Sequence, residues 1–201
     1  MKVLFPNPFG RRPAPEQAIR ALQQRIGFSD AYADFLRTQN GFVLYDMERA
    51  GVIAPYMQQV VAATSESCAN FRVLNSFGAS DPHYDLETLQ AENLLADWFL
   101  EIGSDPAGNP FVEVLHGRYK GNIASLDHDF FAGKLDRHEF LENMDLAHLA
   151  SHSLDEQADA LCEKALGLVW FHARSMQSFL AHCIHCEGDD FWGFVVDEPG
   201  L

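Results

Sequence analysis

The chain has 201 residues, 47% apolar and 12% aromatic, with a formal net charge of −15. That length suits one domain with a sizeable core, and that apolar content excludes a disordered chain. The acidity excludes a surface built for nucleic acid or anionic lipid, and no apolar run approaches the roughly 20 residues that a membrane span needs.

The charge is unevenly spread. Residues 1–37 hold six basic side chains against three acids, and the remainder holds eight against 26. Between Arg72 and Arg118 there is no Lys or Arg, while Asp81, Asp85, Glu87, Glu92, Asp97, Glu101, Asp105 and Glu113 all fall there. Such a tract attracts a basic protein with salt-dependent steering, so these eight residues are the first candidates for a partner surface.

The opening MKVLFPNPFGRRPAP is interrupted at Pro6 and Pro8 and lacks the continuous apolar core of a signal peptide, so a cytoplasmic location is expected. Pro13 and Pro15 bracket a helix start; Ala18, Ile19, Leu22 and Ile26 recur at helical spacing, and Gly27 supplies the stop. Ser29 or Asp30 caps a second helix, with Tyr32, Phe35 and Leu36 on its apolar face and Asn40-Gly41 at its end. Phe42 to Tyr45 reads as a strand. Residues 46–80 are the least readable part: Gln59 to Ala63 fits strand or helix, and Phe71 to Leu74 a short strand. Asp85 to Leu95 suits a helix with Leu86, Leu89 and Leu94 inward.

Residues 99–129, FLEIGSDPAGNPFVEVLHGRYKGNIASLDHD, carry the strongest local signal. Three apolar runs are separated by Pro106 with Gly108-Asn109 and by Gly117 with Gly121, which predicts an antiparallel meander. It stops at Asp127-His128-Asp129. From 130 to 167, HEFLENMDLAHLASH and LDEQADALCEKALG are helical in content and read as an inserted helical pair. Leu168 to Phe171 is a late strand and Ala173 to His185 a closing helix. The tail at 189–201 contains the strand-like FWGFVV.

Three segments together resemble the Smi1/Knr4 group, the SUKH superfamily. They are the meander with Ile102-Gly103-Ser104-Asp105, Gly108-Asn109 and Asp127-His128-Asp129; AYADFLRTQNGF (31–42), ending in Asn40-Gly41; and ARSMQSFLAHC (173–183). They occur in family order, cover roughly residues 15–186 and leave the 130–167 insertion as a departure from the pattern. The resemblance implies an α+β fold with an antiparallel sheet of about five or six strands and packed helices, in a single domain over 1–201. It also implies structural roles for Asn40, Gly41, Gly103, Gly108, Asn109, Asp127, His128 and Asp129. Its functional implication is a protein-binding module without catalysis or cofactor. Bacterial members of the superfamily are mostly immunity proteins that neutralise a toxin, often a nuclease, delivered by a neighbouring cell. A basic toxin domain is therefore the expected partner. Fungal relatives imply a second reading, a regulatory or scaffold protein.

A third reading is a metal-dependent enzyme built on histidines and cysteines. Cys183 and Cys186 form one C-x-x-C flanked by His182 and His185, but structural zinc usually needs two such pairs. Cys183 also continues an apolar face, and the imidazoles suit a helix C-terminus. His148 and His152 are four apart, as in zinc proteases, without the glutamate that acts as base. Asp127-His128-Asp129 joins two acids and an imidazole; the expected structure is an Asx-type turn with an exposed His. No metal site and no catalytic residue is assigned. The cysteines, Cys68 and Cys162 included, are expected to be reduced and mostly buried.

Overall fold

The computed structural model describes residues 2–3, 5–6, 13–43, 58–61, 68–71, 73–79, 81–104, 108–134, 136–180, 184–185 and 195–196. The fold is α+β. Its principal sheet is antiparallel throughout, in the order β10-β9-β8-β7-β6-β3-β2. Four longer strands carry it: β7 (Phe99–Ser104), β8 (Pro110–Val114), β9 (Ile123–Leu126) and β10 (Val169–Ala173). Two-residue strands extend it: β6 (Val73–Leu74), β3 (Phe42–Val43) and β2 (Phe5–Pro6). A second sheet joins β11 (Ile184–His185), β4 (Gln58–Val61) and β5 (Cys68–Phe71). A third pairs β1 (Lys2–Val3) with β12 (Val195–Val196).

Helix α1 (Glu16–Ile26) begins after Pro15 and ends at Gly27. Glu16 sits in its first turn, where the dipole favours an acid, and accepts from Arg20 and Arg37, each at 2.6 Å. Those two cations hold its carboxyl down at about 2. Helix α2 (Asp30–Thr38) is capped by Ser29, whose Oγ accepts the Tyr32 N–H at 3.2 Å. Past its end Asn40 and Gly41 adopt φ of 52° and 90°. That left-handed step brings the Asn40 amide against the chain at Phe77, where Oδ1 accepts the Phe77 N–H at 2.9 Å and Nδ2 donates to its carbonyl at 3.2 Å. The Asn-Gly pair thus stops the helix and ties it to the loop after β6.

The sheet is covered on both faces. Leu100, Ile102, Phe111, Leu115 and Ile123 point to α1 and α2 and pack with Ile19, Tyr32 and Leu36. Phe99, Val112, Val114, Ala124 and Leu126 point the other way, to Trp98, Phe140, Leu141 and Leu161. That second face is covered by α4 (Arg137–Asn143) and α5 (Leu154–Leu161) of the 130–167 insertion. Each fully buried side chain of this size contributes roughly 1.5–3 kcal/mol by leaving water. The insertion is also stapled by polar contacts. Buried Gln157 accepts from Trp98 Nε1 at 3.0 Å and donates to the carbonyls of Leu149 and His152 at 3.0 and 2.8 Å. Helix α3 (Leu86–Glu92), capped by Asp85, precedes β7.

Two expectations need correction. The closing helix does not reach His185: among the described residues it covers α6 (Met176–Ser178) and a wider turn at 179–180, and Ile184–His185 pairs with β4 instead. Strand pairing has captured residues whose local pattern reads as helix. The segment holding His148 and His152 is not an α-helix either. Helix α4 ends before Asp145, whose φ is 58°, and Ala147–Leu149 forms a single 3-10 turn.

Candidate functional site

Strand β9 ends at Leu126, and the Asp127 N–H donates to Leu168 O at 3.0 Å. Asp127 Oδ1 then accepts the Asp129 N–H at 3.1 Å and starts a 3-10 turn over His128–Phe130. This is the Asx geometry that short acidic side chains favour at strand ends. Asn109, in the turn before β8, fixes the imidazole: its Oδ1 takes the His128 N–H at 3.2 Å and lies 2.8 Å from Nδ1. An amide oxygen only accepts, so Nδ1 carries a proton and Nε2 faces outward, 3.4 Å from Asp129 Oδ1. His128 is half-buried, Asp129 exposed.

Across from this turn stands Trp170, opposite Ser125 in the β9–β10 register. It is 50% exposed, and no other large hydrophobic among the described residues is exposed. Its Nε1 donates to Gly167 O at 3.1 Å, which holds the ring in place. Asn109, Ser125, Leu126, Asp127, His128, Asp129 and Trp170 line an open groove of about 310 Å³. Below it His172 contacts Ser125 Oγ at 2.9 Å and lies 5.3 Å from the Phe111 ring. Burial pushes the His172 imidazole down to about 4, so it is neutral near pH 7 and belongs to the core. The groove therefore offers an indole wall, carboxylates, and an imidazole whose orientation is set from behind. Asp127, His128 and Asp129 bring one ligand-type atom each to within 4.8 Å of one another.

The acid-only tract has a different character in space from its reading in sequence. Glu113 is 1% exposed and makes no surface. Its carboxylate accepts the Ser29 N–H at 2.6 Å and the Ser29 hydroxyl at 2.9 Å, joining β8 to the start of α2. Burial pushes it up to about 7 against those two hydrogen bonds. Glu101 is also pushed up to about 7 by burial. Asp81 and Asp85 are committed as caps, accepting from His83 and Thr88. Glu87 pairs with Arg25, and Asp97 with Arg137. Glu92 is exposed, and Asp105 lies outside the described residues. One of the eight candidate partner residues is thus corrected: Glu113 is excluded by burial, whereas Glu87, Glu92 and Asp97 keep their carboxylates on the surface.

His148 and His152 are exposed. The side chains of His182, Cys183, His185 and Cys186 lie outside the described residues, as does that of Cys68. Cys162 is buried and unpaired, its thiol pushed up to about 12 by burial, which leaves it inert. Gly108 and Asn109 form the turn that carries the His128 contact, with Gly108 at φ 93°, and Gly103 is buried in β7 beside a register shift. Trp170 and Ser125 had no functional signal in the sequence, because only the edge position of β10 exposes the indole. Comparison with protein-family models, with curated proteins and with solved structures finds no match to this chain.

Proposed function

We propose that the chain is a non-catalytic protein-binding module of the SUKH type, an immunity protein that neutralises a basic, nuclease-type toxin domain through an acidic surface. The observation that carries this reading is the charge of −15, joined to the motif resemblance around Asn40-Gly41, Gly108-Asn109 and Asp127-His128-Asp129. Nucleases must be basic to hold nucleic acid, and an acidic protein complements them in field and in on-rate.

With Glu113 buried and fewer acids exposed in the 81–113 tract than in the insertion, the surface that best suits the role runs along the insertion. From Asp136 to Glu163 eight acids stand against the single Arg137. Asp136, Glu142, Asp145, Asp155, Glu156 and Glu163 are all exposed there. Several also cap or pair locally, yet they remain on the surface, where a cationic partner reaches them. The test is association with a basic, nuclease-type toxin domain, taken from beside this gene where one is encoded there, measured by calorimetry at increasing salt. Affinity falling at least tenfold between 50 and 500 mM salt is expected (about 1.4 kcal/mol). Salt-insensitive association, or none, refutes the electrostatic reading.

A further inference from the structure

The geometry points to the groove between Trp170 and the Asp127-His128-Asp129 turn as an anchor site for one arginine side chain of a protein partner. The inference rests on the reading of a basic partner and names what part of that partner is held, and where.

Three features select a guanidinium. Trp170 is half exposed on the edge strand β10, although its Nε1–H is already satisfied by Gly167 O. An indole pinned in this way, with its polar edge occupied, offers ring surface and little else, and ring surface attracts cations best when the ring is Trp. Opposite it, Asp127 spends Oδ1 on the Asp129 N–H, and the Asp129 side chain is 83% exposed. Carboxylate oxygens therefore remain for a bidentate donor such as guanidinium. Third, Asn109 orients the His128 ring from behind, so that Nε2 lies 3.4 Å from Asp129 Oδ1 and the imidazole adds to the polar side of the groove. An arginine brings five N–H donors in a plane that both stacks on indole and meets carboxylates edge-on. A hydrated metal ion uses the acids but not the ring, and an anion finds no cation among the groove-lining residues. The groove, at about 310 Å³, has room for a single long side chain. Aromatic anchors of this kind dominate interfaces energetically.

The experiment uses the full chain, ¹⁵N-labelled, with its indole N–H resonances followed by NMR. Acetyl-Gly-Arg-Gly-amide is titrated in, with the citrulline analogue as the isosteric neutral control and Mn²⁺ as a third arm. The arginine peptide is expected to shift the Trp170 resonance saturably, with citrulline at least tenfold weaker. Asp129→Asn is expected to weaken the Trp170 shift by on the order of tenfold, and Trp170→Ala to weaken by a similar factor the peptide-induced shifts of the His128 and Asp129 backbone amides, both positions lining the groove. An unmoved Trp170 resonance overturns the proposal. So does an equal response to citrulline, or Mn²⁺ broadening of Asp129 that the arginine peptide does not reverse. If the same variants bind a basic toxin domain as tightly as the parent, the anchor falls and the immunity reading stands. If the peptide binds but no basic protein does, the immunity reading falls alone.

Discussion

Replacing Glu113 by Gln isolates one buried carboxyl and its effect on stability. In the unfolded chain that carboxyl releases its proton near its ordinary value of 4.5, and in the fold it keeps the proton up to about 7. Between those values the native state holds a proton that the unfolded state has lost, so stability falls as pH rises through the window. The contribution is fully present below 4.5 and gone above about 7. The size is about 3 kcal/mol, from the width of the window at about 1.4 kcal/mol per tenfold. Gln has no proton to lose and retains an oxygen for the Ser29 N–H, which Glu113 holds at 2.6 Å. Urea unfolding of both proteins at pH 5, 6, 7 and 8 is the assay. The parent is expected to lose roughly 2–3 kcal/mol more than E113Q between the ends of that series, since pH 5 already lies inside the window. Parallel pH profiles, or a parent that gains stability with rising pH relative to E113Q, would refute the burial argument.

Three further outcomes follow from described contacts. His172→Gln should act in the opposite sense, because burial holds the imidazole at about 4 against an ordinary 6.5. The parent therefore loses up to about 3 kcal/mol relative to the variant as pH falls from 6.5 to 4, read by urea unfolding carried down to pH 4. Gly41→Ala places a Cβ against Ser76 Oγ and within 2.9 Å of the carbonyls of Leu74 and Asn75, at φ 90°. A loss of about 2–4 kcal/mol in thermal unfolding is expected, while a loss below about 1 kcal/mol contradicts the close approach. Gln157→Ala orphans the Trp98 indole N–H and removes the side-chain donor from the carbonyls of Leu149 and His152, the first of which keeps the His152 N–H, and should cost about 2–4 kcal/mol. Hydrogen exchange should then accelerate in α4 and α5 more than in β7.

How much of this was legible in the sequence depended on whether the determining contact is local. Helices α1 and α2 and the β7-β8-β9 meander follow from Pro15, Ser29, Gly27, Asn40-Gly41 and Gly108-Asn109, whose chemistry acts within a few residues. The closing helix does not extend to His185, because Ile184–His185 finds a strand partner at Gln59–Val60, over a hundred residues upstream. Glu113 interrupts an apolar run and reads as the solvent side of an alternating strand. Its burial comes from Ser29, 84 positions away in the chain. Trp170 sits in a V-W-F-H-A run that predicts burial, and only the strand order, with β10 at the edge, leaves it open to solvent. The candidate groove was thus half visible: its Asp-His-Asp side was evident in the sequence and its indole side was not.

Strand β8 lies between two neighbours in the sheet and beneath two cores, with all five of its residues buried. No local opening uncovers such a strand without separating the helices of one face from those of the other. Its amide hydrogens are therefore a clock for the whole molecule: they exchange only when the chain unfolds globally, and any mutation that slows or hastens them has changed the stability of everything at once.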